Sequence, residues 1–185
     1  NTNAIRFVRD GLSLSFTPIS LSFRANEQRQ IINTIRHSPA QVTTNRVQYP
    51  LAFGTGIDLH FKYLPNMLKE EINLTTKESL PTLNFSASAE DITLDFETIF
   101  EIAPTTTVTV NGQIWDKQSA VTTKDSIVFT DAATVFYLIP PIAYDSHGIT
   151  LPLTSVLERR NDQFLFTIRA PYTWLMHERR VYPVI

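Results

Sequence analysis

Residues 54–74 read GTGIDLHFKYLPNMLKEEINL. Ile57, Leu59, Phe61 and Tyr63 alternate with Asp58, His60 and Lys62, which is the period of two of a half-buried strand. Leu64, Pro65 and Asn66 break the alternation, and it resumes from Glu71 to Thr75. Two runs of matching length around a Pro-Asn turn predict an antiparallel hairpin over 57–75.

The rest of the chain repeats this grammar. Short strands are expected at 4–8 and 12–16 around Asp10-Gly11, and at 19–23 after Pro18. The pattern fails over 24–45. A solvated loop is the preferred reading there, with a turn or two of helix carrying Ile31, Ile32 and Ile35 as the alternative; Arg24, Arg29, Arg36 and His37 lend it positive charge. Strands follow at 47–49, 82–89 and 92–96, the last continuing to 102. Others are expected at 108–110 and 113–115, at 126–130 and 134–139 around Asp131-Ala132-Ala133, and at 151–157 and 164–169 after Arg160-Asn161-Asp162. A terminal strand is expected at 180–185, after an irregular aromatic stretch at 172–177. Asn111-Gly112 is the strongest turn signal, since a type I′ turn needs positive φ at both central residues.

About a dozen short strands without helix–strand alternation predict an all-β fold, an antiparallel β-sandwich with little helix. Two packed β subdomains, 1–103 and 104–185, are one arrangement; one continuous domain is the other. Composition agrees. Thr, Val, Ile and Phe are abundant, and 11 prolines punctuate the chain. At 185 residues, with 43% hydrophobic and 18% charged residues, the chain can bury a true core. A net charge of −2 gives no reason to expect nucleic acid or anionic lipid as a partner, and no apolar run is long enough for a membrane span. The absence of cysteine excludes disulfides, thiolate chemistry and cysteine-ligated zinc. A start at Asn1, with neither methionine nor signal peptide, is what a processed or excised piece would show.

Candidate chemistry is sparse, and no catalytic residues, metal site or cofactor are expected. Glu70 and Glu71 are adjacent on a strand and must point to opposite faces, one expected solvated and the other paired across the hairpin with a cation. Gly54-Thr55-Gly56 before Asp58 reads as a strand-starting turn, because no helix follows to make a phosphate loop. Asp91, Asp95, Glu97 and Glu101 read as a solvated acidic face, with weak calcium binding as the alternative. His37, His60, His147 and His177 lack the spacing of a zinc pair, and Asp145-Ser146-His147 reads as a turn. Trp115 and Trp174, with Tyr137, Tyr144 and Tyr172, offer a sugar-stacking platform, so Trp115 and Trp174 are the candidate carbohydrate-binding residues. Asn73-Leu74-Thr75 and Asn84-Phe85-Ser86 are glycosylation sequons, with both asparagines on the polar phase of their strands.

VQYPLAFGTGIDLHFKYLPNMLKEEINL resembles the hallmark of a β-rich module in large secreted, wall-associated surface proteins of bacteria and archaea. IRFVRDGLSLSFTP resembles that module's start, SIVFTDAATVFYLIPPIAYDSHG a later segment and WLMHERRVYPVI its end, all in the same order. Residues 24–45 are not distinctive, and the Asp-Pro that usually follows is missing. The resemblance implies an extracellular, cell-surface, non-enzymatic scaffold, and supplies no ligand-binding residues. The expected function is therefore a structural or adhesive module of a surface protein or filament, acting by β packing and strand pairing. Its expected partners are further copies or neighbouring domains, with residues 1–8 as first donor strand and 180–185 as second. A carbohydrate-binding module and a viral capsid or tail structural protein are the alternatives.

Overall fold

The computed structural model describes residues 5–9, 12–36, 38–64, 67–131, 134–161 and 163–185. Most of them are in strands. In chain order these are β1 (Ile5–Arg9), β2 (Leu12–Ala25), β3 (Gln28–Thr34), β4 (Gln41–Val42), β5 (Arg46–Tyr49), β6 (Ile57–Leu64) and β7 (Met67–Leu74). They continue with β8 (Thr93–Ile102), β9 (Thr107–Val110), β10 (Gln113–Ile114), β11 (Val121–Thr123), β12 (Ile127–Asp131) and β13 (Thr134–Leu138). The last are β14 (Ile142–Tyr144), β15 (Thr150–Pro152), β16 (Thr154–Arg160) and β17 (Gln163–Pro171). One four-residue helix, α1 (Tyr172–Leu175), follows. The β1–β2, β2–β3, β4–β5, β5–β6, β6–β7, β9–β10, β9–β12, β12–β13, β11–β16 and β16–β17 pairs are antiparallel, and the fold is all-β as the alternation predicts.

The chain forms two compact units. The first comprises the described residues of 1–19 with Asp95–Ile142 and Pro152–Arg169; the second comprises Ser20–Leu94, Ala143–Leu151 and Ala170–Ile185. Each is assembled from three segments, so no single cut separates them, and a boundary near residue 103 falls inside the first unit. The chain changes unit within β2, β8, β14, β15 and β17. A long strand serves both units, and only non-local contacts reveal where one ends.

The first unit is a β-sandwich. One sheet runs β1-β2-β8-β17-β16-β11 and the other β10-β9-β12-β13. Leu14, Phe16, Phe100, Leu157 and Phe166 from the first sheet share one core with Val108, Val110, Ile127 and Phe129 from the second. Phe100 is its hub: its ring lies 5.4 Å from Phe164, 6.1 Å from Phe129, 6.3 Å from Trp115 and 6.4 Å from Phe16, between centroids. Such pairs add about 0.5–1.5 kcal/mol each beyond the area they bury. Asn111 and Gly112 take φ of 52° and 75°, the conformation the Asn-Gly signal requires between β9 and β10.

In the second unit the sheet runs β4-β5-β6-β7, and the hairpin over 57–75 is present with continuous register from Ile57↔Leu74 to Leu64↔Met67. The turn residues Pro65 and Asn66 lie outside the described residues, as do those of the Asp10-Gly11 and Ala132-Ala133 turns and the Asp162 of the 160–162 turn.

Three expectations for the second unit are corrected. The stretch 24–45 is neither loop nor helix at its centre. β3 pairs with β2 from Ala25↔Gln28 to Ser20↔Thr34, with a bulge between Leu21 and Ser22. Its side chains are mostly exposed, so main-chain pairing holds it and no apolar alternation marks it. Residues 82–89 show the expected alternation of exposure but make no ladder. The Gln30 amide takes the ladder's place, donating to the Thr82 carbonyl (3.0 Å) and accepting from the Asn84 N–H (2.8 Å). Residues 180–185 form no strand. Val184 exchanges backbone hydrogen bonds with Leu74 (2.8 and 3.0 Å), and Ile185 does so with Tyr144 (2.8 and 2.9 Å).

Candidate functional site

A cluster of ionisable groups lies on the β5–β6–β7 sheet of the second unit. Cross-strand register puts Gln48, His60 and Glu71 in one row, and Arg46, Lys62 and Lys69 in the next, with Asp58 opposite Asn73. The opposite face carries Val47, Tyr49, Ile57, Leu59, Phe61, Ile72 and Leu74, whose burial holds the polar row in place.

His60 is 3% exposed. The Arg46 guanidinium makes a short contact with Nδ1 and lies 3.3 Å from Nε2, so Arg46 faces the ring as a donor. Burial and then the Arg46 charge hold the His60 pKa below its ordinary value, against the upward pull of Asp58 and Glu71. Asp58 Oδ2 lies 3.8 Å from Nε2, while Asp58 accepts from the Leu51 N–H (2.8 Å) and the Gln48 amide (3.3 Å). Beside this group, Lys69 Nζ lies 2.6 Å from Glu71 Oε1, to which the Tyr144 hydroxyl also donates at 3.0 Å. Burial works to raise the Glu71 pKa, but the hydrogen bonds from Lys69 and Tyr144 outweigh it and hold the carboxyl below its usual range. Arg46 Nε and Asn73 Oδ1 are enclosed without a hydrogen-bond partner.

Glu70 and Glu71 do point to opposite faces, but not as expected. Glu71 pairs with Lys69 of its own strand rather than with a cation across the hairpin. Glu70 is not freely solvated: it is half-buried opposite Phe61 on the apolar face, with Oε1 enclosed and unpartnered. Desolvation alone raises its pKa from 4.5 to about 7.

The carbohydrate platform does not form as expected. Trp115 is 6% exposed, belongs to the core of the first unit, and donates its Nε1–H to the Ser119 carbonyl at 2.7 Å. It therefore has no ring face open to a sugar. Trp174, in the second unit, is half-buried and already stacked: the Arg180 guanidinium lies 3.7 Å over its ring. Arg180 also donates to the Trp174 carbonyl (3.1 Å) and to Asp145 Oδ2 (2.9 Å).

Asp145-Ser146-His147 is a turn, as read. Asp145 Oδ1 accepts from the N–H groups of His147 (3.0 Å) and Ile149 (2.9 Å). Burial pushes the Asp145 pKa up, yet the Ile149 N–H, the Arg180 guanidinium and further backbone donors carry it below the usual value. The acidic stretch from Asp91 to Glu101 is not a solvated face in full. Asp95 and Glu97 are 1% and 2% exposed, and each meets an arginine of the first unit: Arg169 Nε at 3.1 Å from Asp95 and Arg160 Nη1 at 3.6 Å from Glu97. Only Asp91 and Glu101 are exposed. Of the sequons, Asn84 is exposed in an extended loop, whereas Asn73 lies in β7 with its amide oxygen enclosed. His37 lies outside the described residues.

The Gly54-Thr55-Gly56 turn is present, with φ of 110° and 73° at its glycines. It borders an open cleft of about 530 Å³ lined by Ile32, Asn33, Thr55, Thr76, Glu78 and Ser79 among others. A Cβ on Gly56 would stand 2.2 Å from Ser79 Oγ, so the close approach of these two segments requires glycine. Among the described residues no group of three or more His, Asp or Glu is placed to hold a metal ion. No helix there is long and apolar enough to cross a membrane.

Sequence reasoning misses Arg46, Arg169 and Arg180, and reads Tyr144 only as part of a sugar-stacking platform. Each meets its partner through a contact of 14 to 75 residues' separation, which no local pattern encodes. No family model, curated protein or solved structure matches this chain.

Proposed function

We propose that this chain is an extracellular structural or adhesive module of a cell-surface protein or filament, working by β packing and strand pairing rather than by chemistry. The observation that carries the reading is where apolar surface is left open. Among the exposed large apolar residues, Val8, Val42, Met67, Ile114 and Tyr137 lie on the terminal strands of their sheets, β1, β4, β7, β10 and β13; Ile31 lies on β3, Tyr63 on the inner strand β6, and others in loops or on β14. Edge strands present unpaired backbone groups, and exposed apolar side chains beside them favour pairing with another chain. Several charged groups are meanwhile engaged with one another, as in Asp145–Arg180, Asp95–Arg169 and Lys69–Glu71, with Glu70 the exception. The surface location rests on the resemblance of four segments to modules of large secreted proteins. Partners are further copies of the chain or neighbouring domains of a longer protein.

The donor assignment changes with the structure. Residues 180–185 are already paired to Leu74 and Tyr144 of their own chain, so they are not a free donor. β1 pairs with β2 through Ile5↔Phe16 to Arg9↔Leu12, which leaves it one outer edge to offer; residues 1–4 lie outside the described residues.

The test is light scattering after gel filtration, with hydrogen exchange of the same fractions at low and high concentration. Assembly beyond 21.1 kDa with new protection at an edge strand is expected. A mass fixed at the monomer value, with every edge strand exchanging alike at both concentrations, overturns the reading.

A further inference from the structure

We propose that β13 is the self-docking strand of this protein: a second copy pairs its own β13 antiparallel to the first, about Phe136. The inference rests on the strand-pairing reading above and names the edge and the partner.

The edges are not equivalent. β1 carries Arg6 and Arg9, and β7 carries Lys69, Glu70 and Glu71 and is tied at Leu74 to Val184. β4 and β10 are two residues long and β11 is three. β13 has five residues, Thr-Val-Phe-Tyr-Leu, and none is charged, proline or glycine. Among the described residues it pairs only with β12, from Asp131↔Thr134 to Ile127↔Leu138. Proteins ordinarily blunt a long edge with charge, proline or a bulge, and this one has none of these within it.

The side chains set its orientation. Thr134 is buried, and Phe136 and Leu138 pack against the core of the first unit, so the strand cannot turn over. Val135 and Tyr137 face outward, and Tyr137 is 64% exposed. Register extends them into an uncharged surface: Tyr137, Val128, Thr109 and Ile114 form one row across the sheet, and Val135, Thr130 and Thr107 the next.

Charge and symmetry select the occupant. A charged strand laid along this edge would lose hydration and meet no countercharge. Residues 134–139, TVFYLI, combine high β-propensity, no charge, no proline and no glycine, the composition of segments that pair with identical copies of themselves. A two-fold antiparallel pairing about Phe136 sets Val135 of each copy opposite Tyr137 of the other, an aromatic–β-branched pair of the favourable kind. It joins two four-stranded sheets into one of eight, through the self-matched interface that two-fold dimers use.

The experiment is sedimentation of the full chain from sub-micromolar to near-millimolar concentration, with amide exchange of β13, for the wild type and three variants. Val135→Lys/Tyr137→Lys sets like charges opposite one another and is expected to weaken association at least about tenfold. Val135→Glu/Tyr137→Lys sets opposite charges across the same register and is expected to restore it. Tyr63→Lys, an exposed site on β6 of the second unit, is expected to change nothing. Circular dichroism checks folding, and wild-type exchange needs no variant, so a misfolded variant leaves the test intact. Wild-type association with protection at β13 supports the proposal. Association with protection at another edge, or insensitive to charge on β13, overturns this proposal alone. No association at any concentration, with every edge unprotected, overturns it together with the strand-pairing reading.

Discussion

Replacing Glu70 with glutamine should remove a large, pH-dependent penalty from the fold. Glu70 stands opposite Phe61 with Oε1 enclosed and unpartnered, and desolvation raises its pKa from 4.5 to about 7. Below pH 4.5 the carboxyl is protonated in both folded and unfolded chains, and its contribution to stability is fully present. Between 4.5 and about 7 the unfolded chain releases its proton while the folded chain keeps it, so stability falls as pH rises. A rise of that size corresponds to about 3 kcal/mol at 1.36 kcal/mol per tenfold change in proton affinity. His60 acts in the opposite sense. Its lowered pKa gives stability that is present above 6.5 and lost as pH falls through the folded-state value. The wild-type profile therefore mixes the two, and the difference between wild type and Glu70→Gln isolates Glu70. Urea unfolding at pH 5 and pH 8, followed by circular dichroism, measures it. Wild type should lose about 2–3 kcal/mol more than Glu70→Gln over that interval. Equal losses would refute a buried, uncompensated carboxyl at this position.

Other outcomes follow from single contacts. Trp115→Ala should cost about 3–5 kcal/mol in urea unfolding, because it empties a site in the core around Phe100; the same tryptophan should show no emission change on adding polysaccharides. Gly56→Ala should lower the melting temperature more than Gly112→Ala does. Both positions have positive φ, but only at Gly56 does the new Cβ collide, with Ser79 Oγ at 2.2 Å, and Ser79→Gly should recover part of that loss. In a glycosylating host, intact-mass analysis should find glycan at Asn84 and none at Asn73, since the Asn73 amide is enclosed within β7.

The hairpin at 57–75 was legible because its information is local. Alternation places Ile57, Leu59 and Phe61 on one face, and matched lengths set the register that the structure shows. The Asn111-Gly112 turn was legible for the same reason, since positive φ at two successive residues is a property of those residues. Alternation also misled. At 82–89, Leu83, Phe85 and Ala87 of the expected face are partly buried, yet among the described residues no strand pairs with them and Gln30 supplies hydrogen bonds. At Gln28–Thr34 the partner exists without the alternation, because exposed strands need only main-chain bonds.

The candidate site was half legible. Asp58, His60, Glu70, Glu71 and Asp145 were visible as ionisable residues on a hairpin or a turn. Their meaning depended on Arg46, Tyr144 and Arg180, which reach them from distant segments. Trp115 had the composition of a binding residue and the position of a core residue.

The sequence alone determined the all-β class, the 57–75 hairpin and the Asn111-Gly112 turn, because strand period and turn chemistry are written in residues a few positions apart. Tertiary structure alone decided which face of each strand is covered, which acids are paired, and how three segments of chain build each unit. Burial and ion pairing are properties of what packs against a residue, and those partners lie dozens of positions away.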